Sequence, residues 1–363
     1  MKKSLDAVLV QQKVKLVLYS SILLAFVMFP PLAQADRFQD VNSPFEKLRL
    51  SLFPKEMSQS DQCKIIHRNS TVSGLEKIDG SIATKIDSIL KAIQKKNGQA
   101  LAVHFHPRLK MSALYLTTIL DQLAANYGGG DFDLTIYRVW AFNSPEGDSR
   151  PVECAADQLS AIPSFGYPLQ LGVWLQARGN KELGRIYLNL VPKGKRWYIG
   201  IWHHQQWTHD GKDPDIWIDQ ALIDGEKGRT ELAYAKLDLA HKLLKGGKYL
   251  RLQKLLDAEA TRSTYGSPEK WRKQLKLALK DYKVGYAGTA MAEDGIGILV
   301  RLVVDPNLPT NDLRAKCLKA GKLLYEQSWT KGFGGFQCSF VAASEDPSKE
   351  GRLGGYFYPR ASF

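Results

Sequence analysis

The sequence predicts an α+β protein in which a curved antiparallel sheet wraps helices, followed by a helical segment and a small C-terminal α+β unit. Three observations support this fold class. Apolar residues recur at helical spacing over 78–93 and 112–126. Period-2 segments rich in aromatic and β-branched residues follow, up to residue 204. Beyond residue 285 the pattern reads strand, helix, strand, strand.

The first 35 residues have the pattern of an export signal. Four lysines precede or border the apolar run 16–32, and the small-x-small site Ala33-Gln34-Ala35 follows it. We expect cleavage after Ala35 and a mature chain without an integral membrane segment. The alternative is an uncleaved anchor, for which this run is at the lower limit for crossing ~30 Å of hydrocarbon. A cleaved leader places the protein in the periplasm or outside the cell.

The segment after the leader begins with irregular sequence and then becomes helical. Residues 36–76 carry spaced apolar side chains that predict packing onto the body rather than a free tail. The helix over 78–93 is expected to end near Asn97-Gly98, a pair suited to a left-handed cap. A short apolar run then leads to His106-Pro107, and a second helix runs from Ser112 to about Asn126.

Two neighbouring strand patterns, 183–191 and 196–204, form the centre of the predicted sheet. Pro192 and Gly194 supply the turn between them, which predicts a hairpin. In the first strand one face is expected to hold Ile186, Leu188 and Leu190. In the second, one face is expected to hold Trp197, Ile199 and Ile201, and the other Tyr198 and Trp202. Strands at 132–142 and 167–178 precede the hairpin, with a polar insertion at 143–165 between them.

This order of elements resembles the nuclear-transport-factor-like superfamily over roughly residues 77–204. The matching features are the opening amphipathic helix, the HFHP turn at 104–107 and the final hairpin, RIYLNLV followed by RWYIGIWHH. The resemblance implies a cone-like fold with a pocket between sheet and helices. It implies no catalytic residue, because that superfamily includes enzymes, binding modules and domains without a known ligand.

The remaining chain divides at a segment rich in Asp, Gly and Pro, 210–228. A single docked helical turn is expected near Trp217, and longer helices over 231–245 and 249–260. Ser267-Pro268-Glu269 is a helix start, with a capping side chain, a proline in the first turn and an acid near the positive helix end. The predicted units are a packing segment, a cone-like domain, a helical segment and a C-terminal unit: 36–76, 77–224, 225–285 and 286–363.

Four cysteines in an exported chain are expected to be bridged. One pair lies in each half, which predicts the bridges Cys63–Cys154 and Cys317–Cys338. No CxxC motif is present, so thiol redox catalysis and thiolate zinc sites have little support.

The net charge of the chain is +13, of which the leader contributes +3. An excess of this size favours anionic partners through long-range attraction. We expect an anionic envelope component or an acidic protein, with no nucleic acid. Candidate binding residues lie at the hairpin turn: Lys193, Lys195, Arg196 and Trp197. A second basic cluster follows residue 271, and the alternative for both clusters is a solvated surface.

Histidines are the candidates for chemistry. His104, His106, His203 and His209 would form a hydrolase site, with or without a metal, if they converged. The alternative is that they hydrogen-bond carbonyls at aromatic-rich strand ends. No HExxH, GxSxG, SxxK, Walker or dinucleotide motif accompanies them, and the aspartates of 210–219 lack the calcium-loop spacing. We therefore expect no cofactor and no metal, and predict a non-catalytic envelope binding protein, with an envelope hydrolase as the alternative.

Overall fold

The computed structural model describes residues 44–53, 62–70, 79–127, 133–144, 150–180, 182–245, 249–292, 295–346 and 353–363. This part of the chain is an α+β protein with nine helices and three sheets, which confirms the predicted class. The predicted leader lies outside the described residues. Among the described residues no helix is both long enough and apolar enough to cross a membrane.

Four helices cover one face of a five-stranded sheet. They are α1 (Pro44–Leu52), α2 (Gly80–Gln94), the one-turn α3 (Gly98–Ala102) and α4 (Ala113–Asn126). The strands are β1 (Cys63–Ser70), β2 (Asp133–Asn143), β5 (Leu169–Arg178), β6 (Leu183–Lys193) and β7 (Arg196–Gln206), in the antiparallel order β1-β2-β5-β6-β7. The apolar stripe of α2 and the even-numbered residues of β6 meet in one core, as their periodicity predicts.

The pairing of β6 with β7 contains a β-bulge at Gly200. Asn189 pairs with Ile201 and Leu190 pairs with Ile199, so one residue of β7 is extra. A Cβ at Gly200 would lie 2.5 Å from the Ser164 hydroxyl oxygen, which explains the glycine. Because of the bulge, the prediction that Ile199 and Ile201 share one face is wrong. Ile199 packs toward the helices, whereas Ile201 packs on the opposite side of the sheet.

That opposite side is covered by a small sheet and by helices. The small sheet joins β3 (Val152–Cys154), β4 (Leu159–Ala161) and β8 (Leu250–Leu252). The polar insertion therefore contains two of its strands. The helices are α5 (Pro214–Glu226), α6 (Thr230–Leu244) and α7 (Gln253–Tyr265). A single helical turn was expected near Trp217, but α5 has 13 residues, and the predicted boundary at 224/225 falls in its last turn.

The C-terminal part builds a second core around a four-stranded sheet. After α8 (Pro268–Ala278) come β9 (Val284–Ala292), β10 (Gly295–Val304), α9 (Thr310–Tyr325), β11 (Gly335–Ala342) and β12 (Gly355–Pro359). The strand order is β12-β11-β10-β9, and β10 and β11 are parallel because α9 crosses between them. The predicted strand, helix, strand and strand are confirmed, while β9 was not expected.

One of the two predicted disulfides is confirmed and the other is not. Cys63 and Cys154 form a disulfide that ties β1 to β3. The second predicted bridge is wrong, because Cys317 of α9 and Cys338 of β11 are free, buried thiols. They are neighbours in the C-terminal core, and burial, then contact with Cys317, raises the pKa of the Cys338 thiol. The two thiols are buried between a helix and a strand. Lying in the same half of the chain was therefore not enough to predict a disulfide between them.

Candidate functional site

Three basic side chains from separate elements meet beside the central hairpin. The Nζ atom of Lys85, on α2, lies 2.9 Å from Nδ1 of His104, which follows α3. The same ammonium lies 5.2 Å from the ring centroid of Tyr198 on β7. Arg196, which begins β7, is close enough to lower the pKa of Lys85. We refer to Lys85, His104, Arg196 and Tyr198 as the hairpin site.

Local sequence fixes the position of Lys85. Asp79 caps the start of α2 by accepting a hydrogen bond from the backbone N–H of Ser81, at 2.7 Å. Fully buried Ile82, Ile86 and Ile89 set the rotation of the helix against the sheet. Lys85 therefore lies at the edge of the buried stripe, where its stem is partly covered and its ammonium faces the hairpin.

The backbone of β7 holds His104 in place. Ile199 N–H donates to the His104 carbonyl at 2.8 Å, and His106 N–H donates to the Ile199 carbonyl at 2.9 Å. These two bonds clamp the turn between α3 and the strand. The hairpin turn itself consists of Gly194 and Lys195, with Gly194 at φ 63°, so Arg196 is the first residue after it.

Burial and mutual repulsion disfavour the charged forms at this site. Burial, and then the charge of Arg196, lower the pKa of Lys85 to about 8. Burial, and then the charge of Lys85, lower the pKa of His104 to about 4. Among the described residues neither Lys85 nor Arg196 forms an ion pair with a carboxylate. The site is therefore a concentration of positive charge without a counter-charge.

The donors of the hairpin site suit an anion. Near pH 7 the Lys85 ammonium has only donors, so His104 Nδ1 accepts and the neutral ring carries its proton on Nε2. Two N–H groups of Lys85, the Nε2–H of His104 and the Arg196 guanidinium remain able to donate. A bound anion would relieve the repulsion and favour the charged form of Lys85.

The four candidate catalytic histidines do not all meet, although His106 lies edge-on to Tyr198 of the hairpin site, with ring centroids 6.1 Å apart. His104 belongs to the hairpin site. His106 is buried, stacks on Phe165 at 4.4 Å between ring centroids, and faces the Tyr167 hydroxyl at 3.3 Å. His203 contacts the Gln205 side chain on the other side of β7, at 3.3 Å. His209 lies 2.7 Å from the Gly295 carbonyl and stacks on Trp217.

The geometry therefore does not support a hydrolase site built from these four histidines. In the part of the chain that the structure describes, no group of three His, Cys, Asp or Glu side chains could hold a metal. The hydrogen bond between His209 and the Gly295 carbonyl matches the alternative interpretation, whereas the His106 ring faces a tyrosine hydroxyl and not a carbonyl.

The candidate binding residues at the hairpin turn are only partly accessible. Lys193 is half-buried, and Lys195 and Arg196 are exposed beside it. Trp197 is 2% exposed and packs edge-on against Phe45 at 4.9 Å, so its ring lies in the core and is not available to a ligand. Tyr198 is the aromatic side chain on the accessible side.

A second basic surface lies along α8. Its side chains line an open groove of about 480 Å³: Glu269, Arg272, Lys273, Lys276, Leu277 and Lys280. No histidine or buried polar group takes part, so this surface offers charge without a defined geometry.

Sequence reasoning missed Lys85. Lys85 lies on the helix over 78–93, whose pattern indicates only which residues are buried. A lysine at the border of an apolar stripe is a weak signal, because stems of surface lysines commonly cover apolar area. Only the packing of α2 against β7 brings it to His104.

No family model matches this chain. No curated protein matches it either. Among solved structures, the chain is similar to the structure of Bdellovibrio bacteriovorus Bd1075, with 8% identity and a TM-score of 0.24. The match covers 38% of this chain and 43% of that one. A similarity at this level supports no inference about fold or function.

Proposed function

We propose that this is an exported, non-catalytic protein that binds an anionic group of an envelope component at the hairpin site. The observation that carries the proposal is the meeting of Lys85, His104 and Arg196 without a carboxylate partner among the described residues. Uncompensated positive charge at a partly buried site is stabilised by an anion, and three donors from different elements give that anion a defined position.

Export is supported by two features of the chain. The leader pattern of residues 1–35 predicts secretion across the inner membrane. The Cys63–Cys154 bridge fits a protein that folds in an oxidising compartment. We also propose that residues 77–204 form a domain like those of the nuclear-transport-factor-like superfamily, on the order of their helices and strands. The alternative function, a histidine-based hydrolase, has no comparable support because the histidines are separated.

Calorimetric titration with inorganic phosphate tests the proposal, followed by co-sedimentation with peptidoglycan, lipopolysaccharide and anionic liposomes. Lys85→Met and Arg196→Met should each weaken phosphate binding at least about tenfold, since each removes a charge-assisted hydrogen bond. Lys91→Met is the matched control: it makes the same change on the same helix, but its ammonium pairs with Asp87 at 2.7 Å.

Ionic strength separates a surface attraction from a defined site. The Debye length falls from ~10 Å at 0.1 M salt to ~3 Å at 1 M, so envelope binding should weaken as salt rises. The proposal fails if Lys85→Met and Lys91→Met bind phosphate and the envelope materials equally well. Co-sedimentation with one material alone would identify the component.

A further inference from the structure

A second site lies on the side of the five-stranded sheet that faces away from α2, and it is independent of the hairpin site. Arg185 of β6 is 8% exposed there. Its guanidinium carbon lies 3.1 Å, 4.1 Å and 4.7 Å from the ring centroids of Trp207, Trp174 and Tyr137. The cation is thus surrounded by aromatic faces, which attract positive charge but do not neutralise it.

Arg185 forms no ion pair with a carboxylate among the described residues. Asp157 is already occupied, because it pairs with Arg138 and accepts a hydrogen bond from Trp140 Nε1 at 2.6 Å. Burial outweighs the attraction of Tyr137 and Asp213 and a hydrogen bond with Tyr137, and it lowers the pKa of Arg185 to about 9. A buried charge without a paired counter-charge is destabilising, so this arrangement favours a counterion.

Two buried donors at this place lack hydrogen bonds. Among the described residues, Arg185 Nε and the Tyr187 hydroxyl have no partner. The Asn189 amide lies near that hydroxyl but without hydrogen-bond geometry. The other polar groups nearby are engaged: His203 Nε2 faces Gln205 Oε1 at 3.3 Å, and Gln205 Nε2 donates to the Leu243 carbonyl at 2.8 Å.

Arg185 and Tyr187 line one small cavity. Its volume is about 10 Å³, and its other walls are Trp174, His203, Gln205, Leu250 and Leu252. The two leucines belong to β8 and close the cavity from the side of the small sheet. This volume accommodates about one water-sized particle, which excludes phosphate, carboxylates and sugars.

We propose that this cavity binds a single halide ion, chloride under ordinary conditions, held by the Arg185 guanidinium and the Tyr187 hydroxyl. Charge decides between a halide and a water molecule. A halide neutralises the buried cation and only accepts hydrogen bonds, which matches two unpaired donors. A water molecule brings no charge, so it leaves the Arg185 cation without a paired anion.

Thermal unfolding in sodium chloride against sodium gluconate, at equal ionic strength, tests the proposal on the full mature chain. Gluconate is too large for the cavity, so it controls for screening. Chloride at about ten times its dissociation constant should raise the Tm by roughly 3 °C relative to gluconate. Bromide should act like chloride, and anomalous scattering from a bromide-soaked crystal should place one ion beside Arg185.

Three variants make the result specific. Arg185→Met should abolish the halide-dependent rise in Tm and should match or exceed the Tm of the parent in gluconate, because a neutral side chain replaces an uncompensated charge. Tyr187→Phe should weaken the halide effect several-fold while keeping the charge. Arg251→Met is the matched control on β8: its side chain is exposed, and the halide effect should persist.

The proposal is overturned if gluconate and chloride stabilise the parent equally. It is also overturned if Arg185→Met keeps the full halide increment, or if bromide scatters elsewhere and not in the cavity. Retention of the halide effect by Lys85→Met would show that it does not arise at the hairpin site, so failure of the halide site and failure of the proposed function remain distinguishable.

Discussion

Lys85 is the residue on which the hairpin site depends, because its proton is the one that titrates near neutral pH. Its pKa is lowered to about 8, whereas the pKa of His104 is lowered to about 4, so His104 stays neutral above pH 6. The unfolded chain holds the Lys85 proton up to its ordinary pKa. The contribution of this group to the free energy of unfolding therefore rises as pH increases from about 8 toward 10.5. Anion binding weakens over the same range.

The pH dependence of phosphate binding follows from the same proton. Once the ammonium loses it, the site loses one charge, so the parent should bind about tenfold more weakly at pH 9 than at pH 7. Lys85→Arg should remove this loss, because a guanidinium stays charged throughout that range, and the variant then keeps only the pH dependence of phosphate itself. Calorimetric titration at both pH values measures the effect. Identical pH profiles for parent and variant would show that Lys85 does not control binding.

The sequence predicted correctly which residues of β6 face the core, but it did not predict contacts between side chains that are distant along the chain. Ile186, Leu188 and Leu190 face the helices as their alternation predicts. Trp197 was expected to meet a ligand, but a tryptophan near a basic turn has the same pattern whether its ring faces the core or solvent. Lys85 was not identified, because the contact with His104 spans 19 residues of chain and depends on how α2 docks.

At the scale of elements, α2 positions the site through its first turn. Asp79 accepts hydrogen bonds from the backbone N–H groups of Ser81 and Ile82, at 2.7 Å and 3.3 Å. The first N–H groups of a helix lack carbonyl partners four residues earlier within it, so the cap anchors the end nearest Lys85.

Replacement of Asp79 by alanine should lower the free energy of unfolding by about 1 kcal/mol, the usual cost of losing such a cap. Asp87→Ala is the control, since it removes only an exposed pair with Lys91 and should cost no more than about 0.5 kcal/mol. Urea denaturation measures both. Equal losses for the two variants would show that the cap contributes no more than a surface ion pair.

Long, strongly periodic elements were predicted and short or small-residue ones were not. The helix from Ser112 and the hairpin strands agree closely with α4, β6 and β7. Strands β3, β4 and β8 have three residues each, too few for an alternation to be recognised. β9 is rich in glycine and alanine, which lack strand propensity, so only its pairing with β10 makes it a strand. Gly200, at the register change, lies against Ser164 and Phe165, a contact that sequence spacing does not reveal.

At the scale of the whole molecule, the two cysteine pairs differ in role. Cys63 and Cys154 join strands of two sheets, whereas Cys317 and Cys338 are completely buried in the C-terminal core. Burial and contact with Cys317 raise the pKa of the Cys338 thiol, which keeps it protonated and unreactive.

The number of free thiols in the protein can therefore be predicted. The chain has four cysteines, and unfolding it without reductant should expose two reactive thiols, from Cys317 and Cys338. The native protein should react far more slowly, because both thiols are buried. Quantitative labelling with a thiol reagent, before and after denaturation, measures this. Four thiols would contradict the Cys63–Cys154 bridge, and none would mean that the second pair is oxidised.

The Cys63–Cys154 bridge also determines what a break in the chain does. The bond spans 91 residues of sequence, including α2, α3, α4 and β2, so this whole stretch is a covalently closed ring. A protease that cuts once anywhere inside the ring opens it but releases no fragment, because both halves stay attached through sulfur. One cleavage there therefore leaves the molecule in a single piece.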